Sequence, residues 1–425
     1  MGIIRTKIVA ILLGPSGIGI IGVFQSIIDL MRSGYGFGID MAAVRDVAAV
    51  NSTNDEYKLA RTVSLFRKLF FLSALIGLIG CVIFCYPISL WAFDDGGYSI
   101  HIALLSISIF FAILTTGRSS ILQGMRKIKY MAQASIIGSI ISLVITFPLY
   151  YFLGMQGITP YFILINIVAF ASAHYFYKKL NIGTTQISYY EAYDSSPCAG
   201  KETLKFGLYV VVAGLIGTFS MFLIRGIIIR NIDIDAAGLF QSAWTITTVY
   251  LALILRSMGS DFFPRLSAII GNREEANKLV NEQSYITLLI ASPLIVGMII
   301  FSGFAISILY SSDFSYADNV LRWQLAGTFL KVLSWPLAFI MLAKNKGGLF
   351  LITEIVFYAI YLLSCYLFIG KYGLDITGIG YLAAYIVYLP IVFIAGKRIS
   401  EFRWNKEVWQ MVIVNIILIA TTFGA

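Results

Sequence analysis

Charged side chains interrupt several of the longest apolar stretches of this sequence. Arg5, Lys7, Arg32, Arg118, Arg225, Arg256, Arg322 and Lys331 are basic, and Asp29, Asp40, Asp261 and Glu354 are acidic. A charge near a bilayer centre costs at least about 2.5–3.5 kcal/mol, so groups held there face a bundle interior or water and mark ligand or ion routes. The competing readings are a structural ion pair and a long side chain whose head reaches the interface. Arg118, Arg256, Asp261 and Arg322 fall near the ends of their runs, where the second reading serves. Asp29 and Arg32 share one helical face and can neutralise each other. Arg225 and Lys331 lie deeper, with no acid three or four residues away, and are the first candidates for ligand contact. Arg32 and Arg256 complete the candidate cationic set. Asp29, Asp40, Asp261 and Glu354 are candidate coupling or ion-pair acids. Bases outnumber acids at this level, so a cavity lined by them is net positive. Such a cavity suits phosphate or diphosphate, because Arg presents a fork of donors to phosphate oxygens and Lys a compact charge.

The elements that must hold these residues follow from composition. The chain has 425 residues, 59% hydrophobic, 15% aromatic and only 12% charged, with a mean hydropathy of +0.84. A soluble domain cannot hide that many apolar side chains. This excludes an ordinary soluble enzyme, a disordered chain and a secreted disulfide scaffold, and leaves an all-α polytopic membrane protein. Apolar runs long enough to span a bilayer lie near 17–44, 69–92, 102–123, 130–153, 157–177, 204–229, 236–258, 285–310, 319–343, 348–369 and 378–396. They are unbroken rather than alternating, so an outer-membrane barrel is excluded. Residues 1–13 form about half a span before the Gly14-Pro15-Ser16-Gly17 turn, and 408–425 end inside an apolar run. We therefore expect about twelve spans with a truncated first helix, and a thirteenth in 408–425.

The net charge of +9 is not a nucleic-acid signature here, because its location is one-sided. Alternate loops, beginning after the 17–44 run, hold 21 of the 31 Lys and Arg, from Arg45, Lys58, Arg61, Arg67 and Lys68 to Lys397, Arg398, Arg403 and Lys406. The opposite loops hold Arg230 and Lys371 with seven Asp residues, among them Asp94, Asp95, Asp233 and Asp313. The positive-inside rule places the first set, and the N-terminus, in the cytoplasm.

The two halves of the chain look alike. Gly22-Val23-Phe24-Gln25-Ser26 corresponds to Gly238-Leu239-Phe240-Gln241-Ser242, and the polar stretch from Asn54 to Leu59 to that from Glu274 to Leu279. Between the halves lies the longest polar connection. These features predict a six-helix lobe over 1–178, a cytoplasmic linker over 179–203, a second six-helix lobe over 204–396, and an appended segment with a partial helix over 397–425. Both lobes begin on the same side, so the repeat is parallel, about a pseudo-two-fold along the membrane normal, as in transporters that rock two lobes about a central site.

Other patterns carry less. Cys81, Cys85, Cys198 and Cys365, with His101 and His174, show no metal-ligand spacing, and no metal or cofactor is called for. The GxGxxG of Gly17, Gly19 and Gly22 lies in an apolar span rather than after a strand, so it is not a dinucleotide site. Asp94-Asp95 reads as a solvated turn. Gly34, Gly36 and Gly38 suggest a bendable second helix, and Pro293, Pro336 and Pro390 breaks or kinks in theirs. Most aromatic residues, such as Trp91, Phe93 and Tyr98, read as an interfacial belt.

Four strings occur in order along the chain: Lys7 to Gly19 with Phe24-Gln25; Phe263-Pro264-Arg265-Leu266-Ser267; Trp323-Gln324-Leu325-Ala326-Gly327 with Lys331 and Ser334-Trp335; and Leu342-Ala343-Lys344 leading to Phe350–Glu354. Together they resemble bacterial lipid-linked oligosaccharide flippases, the Wzx-type O-antigen translocases of the multidrug/oligosaccharidyl-lipid/polysaccharide exporter superfamily. The resemblance implies two helical lobes around a cationic cavity in the bacterial inner membrane. It implies movement of undecaprenyl-diphosphate-linked oligosaccharide from the cytoplasmic to the periplasmic leaflet, alongside polysaccharide polymerase machinery. Arg225 and Lys331 match basic residues of the family's C-terminal lobe. The family's first helix starts further upstream, and Thr328 stands where the family often has Asp. Rival readings are a multidrug or ion antiporter of the same superfamily, which should have an acid-lined cavity, and a membrane polysaccharide polymerase or glycosyltransferase, which should have a large catalytic loop. A flippase for peptidoglycan precursor is a further variant of the main reading.

Overall fold

The computed structural model describes residues 2–36, 38–51, 55–180 and 201–424. Every regular element among them is helical. The chain forms two compact units, one of residues 1–13 and 20–204 and the other of residues 14–19 and 205–425.

Helix α1 spans Gly2–Gly36, belongs to the first unit except at residues 14–19, and is divided at Gly14, whose φ of 64° and ψ of −166° are outside helical values. Pro15 follows, where a missing N–H costs a helix start nothing. The helix ends at Gly36, Gly38 has a φ of 69°, and α2 runs from Ile39 to Asn51. The expected continuous span 17–44 is thus two helices. The alternating glycines end one helix and start another rather than bending one, because Gly38 takes a left-handed conformation that only Gly adopts without strain. Then come α3 (Glu56–Ile83), α4 (Cys85–Phe93), α5 (Ser99–Gly124), α6 (Ile128–Leu153) and α7 (Ile158–Lys178). Here α5 packs against α3 and α7, and α6 against α7.

The second unit contains α8 (Lys201–Asn231), α9 (Ile234–Ile269), α10 (Arg273–Ile300), α11 (Ser302–Leu309), α12 (Ala317–Ala343), α13 (Gly347–Tyr372), α14 (Ile376–Ser400) and α15 (Lys406–Gly424). Its elements echo those of the first. α3 and α10 each have 28 residues and each is followed by a short helix; α6 and α13 each have 26 and each ends at a glycine with positive φ. Side-chain caps fix helix starts: Asp55 accepts from the Lys58 N–H, Asp233 from the Ala236 N–H, and Asn272 from those of Glu274 and Glu275. Each satisfies an N–H that the helix cannot.

Pro293, Pro336 and Pro390 interrupt none of their helices: α10, α12 and α14 run through them. The expected breaks do not form, consistent with an apolar setting in which neighbouring groups re-satisfy the freed backbone. Within the second unit α12 packs closely on α14, at two glycines. A Cβ on Gly378 would lie 2.6 Å from the Trp323 Cβ, and one on Gly327 2.6 Å from the Tyr381 ring. Small residues let helix backbones approach where lipid supplies no hydrophobic drive.

Nine segments of the described residues are long and apolar enough to cross a membrane, and two of them, Ile128–Lys178 and Gly347–Ser400, each hold two helices. Their outer faces display large apolar side chains, among them Phe152, Val144, Tyr366 and Leu363. Lipid tolerates such a surface and water does not. The chain is a multi-pass membrane protein.

Candidate functional site

The second unit brings together three of the residues singled out from sequence. Arg225, in the last two turns of α8, is only 6% exposed. Its Nε and Nη2 both donate to Oε1 of Gln241, at 3.1 and 2.7 Å, and Nη1 donates to the Met221 carbonyl at 3.1 Å. The guanidinium also lies 5.8 Å from the Phe240 ring centroid. Gln241 in turn donates from Nε2 to the Thr245 hydroxyl at 3.1 Å. A buried guanidinium is tolerable only when its donors are used, and a neutral acceptor leaves its charge intact.

Lys331, on α12, lies within electrostatic range of Glu354 on α13. Glu354 accepts a 2.8 Å hydrogen bond from the Tyr388 hydroxyl of α14. The Arg225 charge reaches Tyr361, and the Glu354 charge reaches Tyr358 and Tyr385. The unit therefore holds the Lys331–Glu354 pair and, hydrogen-bonded to Gln241, Arg225, all among apolar helices.

Around these groups Phe357, Tyr361, Tyr381, Tyr385 and Tyr388 pack on one another, with Phe357 and Tyr385 centroids 4.5 Å apart. All five are buried. They are core rather than an open platform for sugar rings, although the Tyr361 and Tyr381 hydroxyls are buried without a partner among the described residues.

Sequence reasoning passed over Gln241 and Gln324. Gln324 is fully buried and its Oε1 accepts from Thr247 of α9 at 3.1 Å, while its Nε2 has no acceptor among the described residues. Thr328, which stands where the related flippases often have Asp, is buried and donates to the Gln324 carbonyl at 2.7 Å. It is a satisfied hydroxyl with no charge to contribute. The signal for both glutamines was present, since Gln324 sits in a string that carries the resemblance and Gln241 in the string repeated between the halves; what was missing is that a membrane-embedded amide, like a charge, needs a partner.

The other candidates are placed differently. Arg32 and Asp29 form a half-exposed 3.2 Å ion pair in the first unit, and Gln25 donates to Asp29 at 3.1 Å. Asp40 lies in the first turn of α2, where backbone N–H groups favour negative charge. Asp261 pairs with Arg265 at 3.1 Å, four residues along α9, and both are exposed. The Arg256 side chain lies outside the described residues, as does Cys198. Among the described residues no group of three His, Cys, Asp or Glu could hold a metal ion.

The first unit contains a cavity of about 530 Å³ between α1, α5, α6 and α7. Ser135, Ser139 and Ser142 line it from one face of α6, Thr115 and Ser119 from α5, and Asn166 from α7, with Arg5 at one side. Arg5 donates to the Tyr161 hydroxyl at 3.2 Å, which pairs with Ser142 at 3.2 Å.

The fold and several relatives agree on the type of protein. A "Lipid III flippase" of Escherichia coli (strain K12) is 24% identical over 404 residues, covering 93% of this chain and 95% of its own. Among solved structures, an inward-facing multidrug resistance MATE family transporter of the MOP superfamily aligns with a TM-score of 0.76 at 18% identity, covering 93% of each chain. The lipid II flippase MurJ in its inward closed conformation aligns with a TM-score of 0.67 at 16% identity, over 95% and 96% of the two chains. The all-helical, two-lobed membrane fold expected from sequence is thereby borne out, as is the resemblance to the oligosaccharide flippases. The profile of the family described as "Polysaccharide biosynthesis protein" matches residues 8–318, and the chain belongs to that family.

Proposed function

We propose that this protein, a transporter and not an enzyme, is a flippase of the bacterial inner membrane. It moves an undecaprenyl-diphosphate-linked oligosaccharide, such as an O-antigen unit, from the cytoplasmic to the periplasmic leaflet. The observation that carries this reading is the end-to-end likeness to a lipid III flippase, 93% of one chain against 95% of the other. The charged groups buried in the second unit support it. Arg225 and Lys331 outnumber Glu354 and suit a diphosphate, whereas a carrier for cationic drugs calls for the opposite balance. Polyprenyl tails need only lipid, so the charged head alone requires a protein-lined route.

On this reading residues 1–178 and 204–396 are the two lobes, the linker 179–203 joins them on the cytoplasmic side, and 397–425 is an appendage. Alternating access opens the route first to the cytoplasm, where the N-terminus lies, and then to the periplasm. Arg225 and Lys331, with Arg32 and Arg256, hold the diphosphate, and Glu354 is the first choice for a coupling acid, ahead of Asp29, Asp40 and Asp261. The flipped product passes to polymerase machinery. Deletion of the gene tests the reading. Surface glycan should fall and lipid-linked oligosaccharide accumulate on the cytoplasmic leaflet, with rescue by the parent sequence but not by Arg225→Ala/Lys331→Ala. Undiminished surface glycan in the deletion strain overturns it.

A further inference from the structure

A second cluster of cations lies in the first unit. Arg67 comes from α3, Arg118 from the last two turns of α5, and His174, Tyr177 and Lys178 from the end of α7. His174, Tyr177 and Lys178 are spaced three and four residues apart, so they share one helical face. Because α5 packs between α3 and α7, Arg118 sits where all three helices meet.

The geometry is specific. The Arg118 guanidinium lies 4.5 Å from the Tyr177 ring centroid. The His174 ring stacks with Phe170 at 5.4 Å and with Tyr177 at 6.0 Å, at angles of 20° and 23°. The charges of Arg118, Lys178 and Arg67 all reach His174, and those of Arg67 and Arg118 reach each other. Among the described residues no carboxylate acts on His174 or Arg118. Arg118 Nε and His174 Nδ1 are both buried and have no hydrogen-bond partner among the described residues.

Like charges gathered without a counter-ion repel, and buried donors left unused cost desolvation that nothing offsets. Both costs disappear if an anion sits among them. Two guanidinium groups, an imidazole and an ammonium converging from three helices match a tetrahedral group with several acceptor oxygens. The basic loops place these helix ends at the cytoplasmic surface, where the anions at this depth are lipid head groups.

We propose that Arg67, Arg118, His174 and Lys178 form a binding site for the phosphate of an anionic membrane lipid. Both a bulk phospholipid and an isoprenoid diphosphate offer that chemistry. The site rests on the membrane orientation proposed above but not on the roles of Arg225 and Lys331.

Thermal unfolding of the full chain in detergent tests it, with added phosphatidylglycerol, geranylgeranyl diphosphate or, as the zwitterionic reference, phosphatidylcholine. The parent should gain midpoint temperature with at least one of the two anionic lipids relative to phosphatidylcholine. A gain with phosphatidylglycerol alone identifies a resident phospholipid, and a gain with the diphosphate alone identifies a station for the carrier lipid. Arg118→Gln/His174→Gln should lose the gain, and Arg118→Lys should keep most of it. Arg67→Gln/Lys178→Gln, which leaves the ring stack intact, should lose at least half. Arg273→Gln, in an exposed ion pair with Glu401 of the second unit, should retain it, which shows that the loss is not a general response to a removed cation. No gain in the parent, or an undiminished gain in both double variants, overturns the proposal.

Discussion

Gln241 accepts two N–H groups of Arg225 on its single carbonyl oxygen. The equivalent glutamine of the first half, Gln25, instead donates to Asp29. The repeated Phe-Gln-Ser string thus places an amide at the same point of each half and uses its opposite ends. An amide serves both purposes because it carries an acceptor and two donors. In the second half the partner is buried and cationic; in the first it belongs to a half-exposed ion pair.

Replacing Gln241 by Leu should therefore cost more than its own burial. Two Arg225 donors lose their acceptor in a dry setting, and an unsatisfied buried group costs about 1–3 kcal/mol. The expected result is a lower unfolding temperature together with weak glycan export. Gln241→Glu gives the opposite dissociation. It supplies an anionic acceptor, so the protein should stay folded, but it cancels the Arg225 charge and export should fall. Parent-level export by Gln241→Glu would show that the charge of Arg225 is not what the substrate meets.

Lys331 and Glu354 form the second test. Lys331→Ala should reduce export at least tenfold, about 1.4 kcal/mol of lost stabilisation, while membrane levels of the protein stay constant. In Glu354→Gln the side-chain carbonyl can still accept from Tyr388, so the fold should hold. If Glu354 couples an ion to transport, this variant loses accumulation against a gradient. If it only balances Lys331, the double variant Lys331→Ala/Glu354→Gln should export more than Lys331→Ala alone.

The path from sequence to this picture was uneven for physical reasons. Spans were legible because bilayer thickness sets their length, and the two-lobed plan because strings of one half recur in the other. The break at Gly36–Gly38 was not, since a glycine inside an apolar run reads equally as a bend or an end, and only its φ decides. Arg225 and Lys331 stood out because isolated charge in an apolar run is costly wherever it points. Their partners did not: Gln241 is sixteen residues from Arg225 and on the next helix, and Tyr388 is thirty-four from Glu354. Packing alone brings them together. From sequence Arg118 alone reads as a side chain reaching the interface, because its companions come from two other helices.

Asp261 offers a contrast. It was a candidate acid from sequence, but its pair with Arg265 is exposed on both sides. Exposed pairs four residues apart contribute about 0.3–0.5 kcal/mol. Asp261→Asn should shift the unfolding temperature little and leave export unchanged. A large export defect with normal stability would show a role for this acid outside the pair.

Helix packing in the second unit can be separated from helix propensity by two glycine substitutions. Gly378→Ala puts a methyl 2.6 Å from the Trp323 Cβ and 2.8 Å from the Val320 carbonyl oxygen. Neither backbone nor a Cβ can move without shifting α12 against α14, and overpacking of this kind costs about 1–3 kcal/mol. Gly370→Ala, also in an apolar helix, meets nothing within 4 Å. It should be neutral or stabilising by up to about 1 kcal/mol, because Ala favours helix over Gly. Unfolding temperatures of the two variants should therefore move in opposite directions. A similar loss in both would mean that backbone flexibility, rather than the close approach of α12 and α14, is what glycine provides at these sites.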